Sequence, residues 1–499
     1  MNQANAAATT PDRRRWIALY VLCAGMLMIV LDVTVVNVAL PSIKDDLGFD
    51  QSSLAWVVNG YLITFGGLLL LAGRFGDLLG RKNVFMAGLA LFTIASVVCG
   101  AAQTQEMLVG GRFVQGIGGA MTSAVILGMI VTMFPEPRDQ AKAIGVYAFV
   151  ASAGGTIGLL AGGVLTEAIS WHWIFFINVP IAIATAFLAT RVIERDQGIG
   201  LSQGADTPGA TLITASLMLG VYTIVEPAAD RGWGDAQTLA LGAVSLALLA
   251  GFIAREARAA HPIMPLRIFR SRNVSGANLA EALLVAGMFG TFFMGSLYME
   301  QVLGYDPLEI GLAFLPATLI MATLSIRYAE PLIMRFGARR ALISGMLLVV
   351  ASLLLFTRAP VDGSYVEHLL PVMVLLGFGI GVSFPALMSI AMSGATQVDA
   401  GLASGLVNTS AQVGGAIGLA VLATLSTTRT DDLIATGEDA ASALTSGFHL
   451  AFLLGAALVV ASIGIAIAVI QAVRAPEQQP EPGTDPGTGE LEPACSEAS

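Results

Sequence analysis

The sequence predicts an all-α integral membrane protein with fourteen transmembrane helices. Of its 499 residues, 55% are hydrophobic and 12% are charged, and the mean hydropathy is +0.77. Water-soluble domains carry about 25% charged residues, so this composition excludes a soluble globular fold. A helix needs about 20 consecutive apolar residues to cross a bilayer, and runs of that length recur along nearly the whole chain.

The predicted transmembrane spans are fourteen apolar runs separated by charged or Gly- and Pro-rich breaks. Their limits are 16–40, 54–73, 84–103, 107–134, 142–165, 172–192, 207–226, 238–254, 275–299, 308–328, 338–357, 368–393, 402–425 and 448–472. The first run is longer than a signal-peptide core and contains Asp32, so we expect it to be retained. Placing the N-terminus inside puts most of the 25 basic residues in cytoplasmic loops, as the positive-inside rule requires. Both termini are therefore predicted to be cytoplasmic, in a multi-pass protein of the cell membrane.

Two basic cytoplasmic turns, at 76–82 and 334–340, occur eight spans apart, and the glycine-rich spans 5 and 13 are also eight apart. This pairing predicts two parallel six-helix bundles, the plan of many secondary transporters, which hold substrate near the membrane midplane. The alternative is that glycine recurs simply because it is common in membrane helices. The predicted segments are a cytoplasmic N-terminus (1–15), an N-terminal six-helix bundle (16–192), inserted helices 7 and 8 with flanking loops (193–274), a C-terminal six-helix bundle (275–474) and a disordered, acidic, Pro-rich tail (475–499).

Charge and motif content exclude several classes of function. The formal net charge of -10 speaks against nucleic acid as a partner. The loops are too short for a soluble catalytic domain, and no phosphate-binding loop with its lysine occurs. The cysteines and histidines are dispersed, so we expect no enzyme, no cofactor and no metal site. The expected partners are a small-molecule substrate and the lipid bilayer, and the chain is expected to act as a monomer.

Four strings of the sequence carry a family resemblance. They are Leu31–Pro41 at the end of span 1, Gly73–Lys82 between spans 2 and 3, Arg112–Ala120 in span 4, and Trp171–Pro180 at the start of span 6. Together they resemble the fourteen-helix drug:proton antiporter branch of the major facilitator superfamily, although His172 stands where an arginine is usual. The resemblance implies the major facilitator fold and efflux of amphipathic organic compounds, such as drugs or antibiotics, in exchange for protons.

Span 5 departs from the pattern of that branch. The antiporter motif has a glycine–proline pair followed by two more glycines, but this sequence lacks the proline and keeps Gly158, Gly162 and Gly163. These glycines allow close helix packing, so exchange stays the first hypothesis, whereas a proline-dependent kink is not expected. The alternative is a facilitator or importer of a specific metabolite on the same fold.

An ionisable side chain inside a membrane span is costly and is therefore a functional candidate. At about 1.5 Å per residue, Asp32 lies roughly 13 Å below the outer end of span 1, and Arg112 lies roughly 7 Å into span 4. We expect both to line the central cavity, within reach of each other, with Gln115 on the same face of span 4. Asp32 would then bind and release a proton. The positive charge of the nearby Arg112 favours the ionised carboxylate and so opposes proton binding. The alternative is a permanent ion pair that only holds spans 1 and 4 together.

The turn between spans 2 and 3 is a candidate conformational latch, a role that the family resemblance supports. Its residues are Gly73, Asp77, Gly80, Arg81 and Lys82. We expect Asp77 to accept hydrogen bonds from the backbone N–H groups that start span 13, near Gly401. Arg81 is expected to pair with Glu136 or Asp139 in the next cytoplasmic loop. The alternative is a solvated loop that only sets the topology.

The remaining polar residues in the spans are weaker candidates. Four amides supply either hydrogen bonds to a substrate in the cavity or contacts between helices: Asn37, Asn59, Asn408 and Gln412. Glu226 and Glu300 lie at outer helix ends, where water is available. Glu281 and Arg327 lie toward cytoplasmic ends, where we expect their side chains to reach the interface.

Overall fold

The computed structural model describes residues 4–49, 51–54, 56–196, 198, 200, 206–259, 262, 264, 266–393 and 400–471. These residues are almost all helical, and none of them lies in a β-strand. The predicted all-α class is therefore confirmed. The predicted tail, 475–499, lies outside the described residues.

The described residues form α-helices joined by short turns. In chain order the helices are α1 (Ala4–Leu47), α2 (Gln51–Leu54), α3 (Trp56–Leu79), α4 (Arg81–Gly100), α5 (Gln105–Met133), α6 (Pro137–Ala168), α7 (Trp173–Phe176), α8 (Asn178–Val192), α9 (Thr207–Val225), α10 (Pro227–Arg231), α11 (Ala236–Glu256), α12 (Arg272–Phe289), α13 (Gly295–Gln301), α14 (Pro307–Thr323), α15 (Ala329–Phe336), α16 (Ala338–Phe356), α17 (Leu370–Ser393), α18 (Ala400–Ala435) and α19 (Ala440–Ala468). Wider π-helical turns at 290–294, 324–328 and 365–369 join α12 to α13, join α14 to α15 and precede α17.

Twelve helices in the described part of the chain are long and apolar enough to cross a membrane. Predicted spans 5 and 7 correspond to α6 and α9, which are not among the twelve, and the apolar part of α9 is the shorter segment Pro208–Ile224. The exact number of fourteen crossings therefore stays a prediction.

Two helices extend well beyond their predicted spans. Helix α1 begins within the predicted N-terminal segment 1–15 and ends at Leu47, and α18 continues to Ala435. An apolar run marks only the part of a helix that lies in hydrocarbon, whereas the backbone hydrogen bonds continue the helix into polar surroundings. Hydropathy therefore locates these helices but underestimates their length.

The helices pack in two groups, and α18 of the second group lies where the groups meet. In the first group, α1 packs against α6 and α8, and α5 packs against α3 and α4. In the second group, α12 packs against α18 and α19, and α16 packs against α17. The groups meet where α3 and α5 contact α18 and where α6 contacts α14 and α17, while α9 packs on α11 and α3.

Close helix crossings depend on glycine at particular positions. A Cβ added to Gly158 or Gly162 of α6 would meet Thr34 or Val35 of α1 within 3.1 Å, so these two glycines let the helices touch. Gly163 has nothing within 4 Å of such a Cβ, so it makes no close approach, contrary to its place in the predicted packing motif. Helix periodicity explains the difference, because residues 158 and 162 share a face that 163 leaves.

Candidate functional site

Asp32 of α1 and Arg112 of α5 form a buried ion pair. Arg112 Nη1 lies 2.5 Å from Asp32 Oδ2, and each residue exposes only 1% of its surface. The two charges remain in a low-dielectric site because each satisfies the other; one alone there would be strongly unfavourable. The sequence places these side chains within reach of each other, and the structure brings them into direct contact.

Amide groups complete the hydrogen bonding of the Asp32 carboxylate. Asp32 Oδ1 accepts from Gln115 Nε2 at 2.6 Å and from Asn178 Nδ2 at 3.0 Å. Gln115 Oε1 in turn accepts from Arg112 Nη1 at 2.8 Å, and its Nε2 also lies 2.9 Å from Ser96 Oγ. We call Asp32, Arg112, Gln115, Asn178 and Ser96 the Asp32 network; its donors are those that suit an ionised carboxylate.

The Arg112 guanidinium is also fixed from α3. Its Nε donates to the Val57 carbonyl oxygen at 2.8 Å, and its central carbon lies 4.4 Å from the centre of the Tyr61 ring. Cation–π contact and the backbone hydrogen bond orient the side chain toward Asp32. The Asp32 network is therefore enclosed by α1, α3, α4, α5 and α8. The sequence predicted that it lines a cavity between the two groups of helices, and the structure does not place it there. Residue spacing along a helix gives the face on which a side chain lies only approximately. The rotation of the helix about its axis decides whether that face meets neighbouring helices or a cavity.

Asp77 joins α3 to the start of α18 at the other predicted site. Asp77 Oδ1 accepts from the Gly401 backbone N–H at 2.9 Å, and Oδ2 accepts from Leu402 N–H at 2.8 Å. The N-terminus of a helix carries unsatisfied N–H groups and partial positive charge, so a carboxylate there is favourable. Gly73 permits the close crossing, because a Cβ on it would lie 2.6 Å from the Gly401 carbonyl oxygen.

The partner predicted for Arg81 is wrong. Arg81 Nη2 lies 3.0 Å from Asp77 Oδ1, one turn back along the chain. Glu136 and Asp139 instead pair with Arg15, at 3.1 and 2.8 Å. Asp77 is buried and already held by α18, so the neighbouring guanidinium is drawn to it, while the start of α6 lies beside Arg15.

Asp196 caps the start of α4, and sequence reasoning missed it. Its carboxylate accepts from the backbone N–H groups of Arg81 at 2.7 Å and Lys82 at 3.1 Å. The Lys82 ammonium donates to the Ile193 carbonyl oxygen near the end of α8. Gly80, with φ +93°, supplies the left-handed conformation that the turn before α4 requires. These contacts fasten the turn between α3 and α4 to the segment that follows α8.

The four candidate cavity amides fall in different places. Asn59 Nδ2 donates to Glu226 Oε2 of the turn after α9 at 3.2 Å. Asn408 Oδ1 lies 3.5 Å from Ser123 Oγ of α5, between the two groups of helices. Gln412 of α18 faces α3, since a Cβ on Gly66 would lie 3.2 Å from its Cγ. The side chain of Asn37 lies outside the described residues.

The prediction that the Glu281 side chain reaches the membrane interface is wrong. It exposes 0% of its surface, and within the described residues neither of its carboxylate oxygens has a hydrogen-bond partner. It lies nine residues into α12, roughly 13 Å from the start of the helix at about 1.5 Å per residue. Neighbouring α17, α18 and α19 cover that part of α12, which closes the route along which the side chain would extend.

Comparison with known proteins identifies the family. Residues 22–419 match the model of the Major Facilitator Superfamily. The chain is 38% identical over 465 residues to the puromycin resistance protein pur8 of Streptomyces alboniger, covering 92% of both chains. It is 38% identical over 411 residues to the cephamycin export protein CmcT of Amycolatopsis lactamdurans, covering 82% of this chain and 84% of that one. The human organic anion transporter MFSD10 shares the fold, with a TM-score of 0.65 and 16% identity over 91% of this chain and 99% of that chain. The chain therefore belongs to the major facilitator superfamily, as a multi-pass membrane transporter.

Proposed function

We propose that this transporter exports amphipathic organic compounds, antibiotics among them, across the cell membrane in exchange for protons. The buried Asp32 network is the observation that carries the coupling, because it places an ionisable carboxylate inside a membrane helix. The substrate class is supported by relatives named for puromycin resistance and cephamycin export. We also propose that both termini lie in the cytoplasm and that the chain acts as a monomer.

Protonation of Asp32 is the proposed coupling event. A proton on the carboxylate removes the negative charge that holds Arg112 and replaces an acceptor by a donor. Gln115 and Asn178 then lose a charged acceptor, so the contacts that join α1, α5 and α8 weaken together. Because these helices belong to one packed group, a change at Asp32 shifts how that group sits against α18.

The contact of Asp77 with α18 is proposed as the matching event on the cytoplasmic side. The two hydrogen bonds to the helix start hold α3 against α18 while the outer side opens. Their loss would let the cytoplasmic ends separate and admit substrate between the groups. Asn408 and Gln412, on the face of α18 that meets α3 and α5, are proposed to hydrogen-bond that substrate.

A facilitator or importer of a specific metabolite is the second candidate. The observation that favours it lies in α6, which runs as one continuous helix from Pro137 to Ala168 and keeps the glycines of the antiporter motif without its proline. If that proline is required for proton exchange in this branch, a continuous α6 that lacks it fits a transporter that does not exchange protons.

Expression in a host that lacks its own drug pumps tests the proposal. Cells that produce the protein should accumulate less dye and tolerate more of several antibiotics, and a protonophore should abolish both effects. Unchanged accumulation across a broad panel of compounds would favour the specific-metabolite transporter. Reduced accumulation that survives the protonophore would refute proton coupling.

A further inference from the structure

We propose that Glu281 is a second proton-binding site of this transporter, located where α12 faces the first group of helices. The inference rests on the proposed proton-coupled export and extends it to the second group. It starts from the position of the side chain, which is fully buried in a membrane helix without a hydrogen-bond partner in the described residues.

The contacts of its neighbours show where Glu281 lies. Ser462 of α19 donates to the Ala280 carbonyl oxygen at 2.7 Å, and a Cβ on Gly414 of α18 would meet Ala282. Glu281, between these two residues, interacts electrostatically with Tyr147 of α6. The Tyr147 hydroxyl is hydrogen-bonded to Asn408 and lies 4.0 Å from Met26 Sδ of α1. The carboxyl group therefore lies near the surface along which the two groups of helices meet.

Among the residues that the structure describes, no basic side chain neutralises Glu281. On its own helix, the nearest cation is Arg272, roughly 13 Å away at about 1.5 Å per residue. Helix α17 contains no ionisable residue. On α18, the first charged residue in the described sequence is Arg429, about 22 Å along the helix from Gly414, and on α19, His449 is about 20 Å from Ser462 by the same rise.

The ionisable groups on the facing helices are also unsuited to neutralise it. Tyr147 of α6 and Cys23 of α1 face this region, and both are neutral in their protonated forms. Lys142 of α6 points to the Trp16 ring, whose centre is 4.8 Å from its Nζ. Asp32 of α1 is held by Arg112. A negative charge on Glu281 is therefore unpaired, so in this conformation the carboxyl group binds a proton.

A merely structural side chain at this position would not need a carboxyl group. Neighbouring helices pack through small residues, and neither carboxyl oxygen contributes a hydrogen bond to them. When the two groups of helices separate during transport, water reaches Glu281 and the proton can leave. The same carboxylate would then attract a cationic group of a substrate entering between the helices. Asp32 and Glu281 would thus provide one proton site in each group of helices.

Infrared spectroscopy of the purified protein tests proton binding without any substrate. At neutral pH the wild-type protein should show a protonated-carboxyl carbonyl band that disappears in Glu281→Gln and persists in Asp32→Asn and in the exposed control Glu438→Gln. A band that is absent from wild type, or unchanged in Glu281→Gln, would overturn the proposal. Because this readout needs no transport, it decides the inference even if proton-coupled export proves wrong.

Transport in everted membrane vesicles tests the consequence. With an acidic interior, Glu281→Gln should reduce gradient-driven puromycin uptake at least about tenfold, because a neutral amide cannot release a proton. Glu281→Asp should restore most of the uptake, and Glu438→Gln should match wild type. Glu281→Gln folds normally if its elution and thermal unfolding match wild type; unchanged uptake by that folded variant would contradict a coupling role.

Discussion

At the scale of single residues, the Asp32 network makes each member depend on the others. Asp32 and Arg112 are almost completely buried, and the only opposite charge close to either in the described network is its partner. Gln115 and Asn178 satisfy the remaining acceptor positions of the carboxylate. Removing Asp32 or Arg112 alone therefore leaves a buried charge that water cannot reach, which is the costly case for an ion pair.

Arg112→Ala should destabilise the protein by about 3–5 kcal/mol, because it leaves the Asp32 carboxylate buried and unpaired. Adding Asp32→Asn to the same chain should recover part of the loss, since the second change removes the uncompensated charge. Unfolding in detergent, followed by tryptophan fluorescence, measures both effects. A double variant less stable than Arg112→Ala would show that the pair is not the source of the loss.

Sequence reasoning found part of this network for a physical reason. Asp32, Arg112 and Gln115 interrupt apolar spans at depths that helix geometry can compare, so their proximity is predictable. Asn178 and Ser96 were not predicted as members of this network, although Asn178 lies within one of the four strings that carry the family resemblance. A small polar residue in a membrane helix is common, and only the direction of its side chain shows that it reaches Asp32. That direction depends on helix rotation, which hydropathy does not define.

At the scale of helices, the contact between α3 and α18 combines charge with close packing. The Asp77 carboxylate contacts the N-terminus of α18, and Gly73 lets the two backbones approach. The helix start contributes N–H groups and a favourable dipole. The same short segment therefore holds the two helix groups together at this end of the molecule.

Asp77→Asn should shift the population toward structures in which the end of α3 is separated from the start of α18. The amide keeps the shape but loses the charge, whose interaction with a partly buried helix N-terminus is worth up to about 2 kcal/mol. Distances between spin labels at the end of α3 and at the start of α18 measure the shift. Glu194→Gln, an exposed carboxylate on the same side, is the control and should leave the distances unchanged. Equal distance distributions for Asp77→Asn and the parent would refute the latch.

Gly73→Ala should destabilise the protein by about 1–3 kcal/mol, because the new methyl group would overlap the backbone of α18. Gly163→Ala is the matched control, since it places the same group in open space on α6. That control should be neutral or slightly stabilising, as alanine favours the helix. Thermal unfolding of both variants makes the comparison, and equal effects would mean that the α3–α18 crossing is loose.

We expect the stability of the packed pair α9 and α11 to depend on pH, because an ion pair joins the start of α9 to the last turn of α11. Arg255 Nη2 donates to Asp206 Oδ1 at 2.9 Å, and Arg255 Nε donates to both carboxylate oxygens, at 3.0 and 3.2 Å. These hydrogen bonds hold the pKa of the Asp206 carboxyl below its usual range. A lowered pKa stabilises the fold above the unfolded value of about 3.9, and the stabilisation is lost as the pH falls through the folded value. Asp206→Asn should therefore unfold at a lower temperature at pH 7, by a small amount because Arg255 is half exposed. The difference should vanish in strong acid; a difference that grows there would contradict the assignment.

At the scale of the whole molecule, composition and span length predicted an all-α membrane protein, and the paired turns and the family resemblance predicted a transporter. The structure and the family match confirm that class, while the number of crossings stays a prediction because α6 and α9 are not among the twelve helices long and apolar enough to span. The burial of Glu281 was not predictable from the sequence. Its distance from the helix end suggested access to the interface, but three packed neighbours enclose it. Burial by distant segments is a tertiary property that a local apolar pattern does not contain.

The central claim is that export is coupled to protons through Asp32. The most direct test uses an antibiotic to which the protein gives tolerance in the pump-deficient host. Its uptake into everted vesicles with an imposed acidic interior is compared for wild type and Asp32→Asn at equal protein content. Wild type should accumulate the compound only while the pH gradient lasts, and Asp32→Asn, in which residue 32 cannot ionise, should not accumulate it at all. Gradient-driven accumulation by Asp32→Asn at the wild-type rate would contradict the claim.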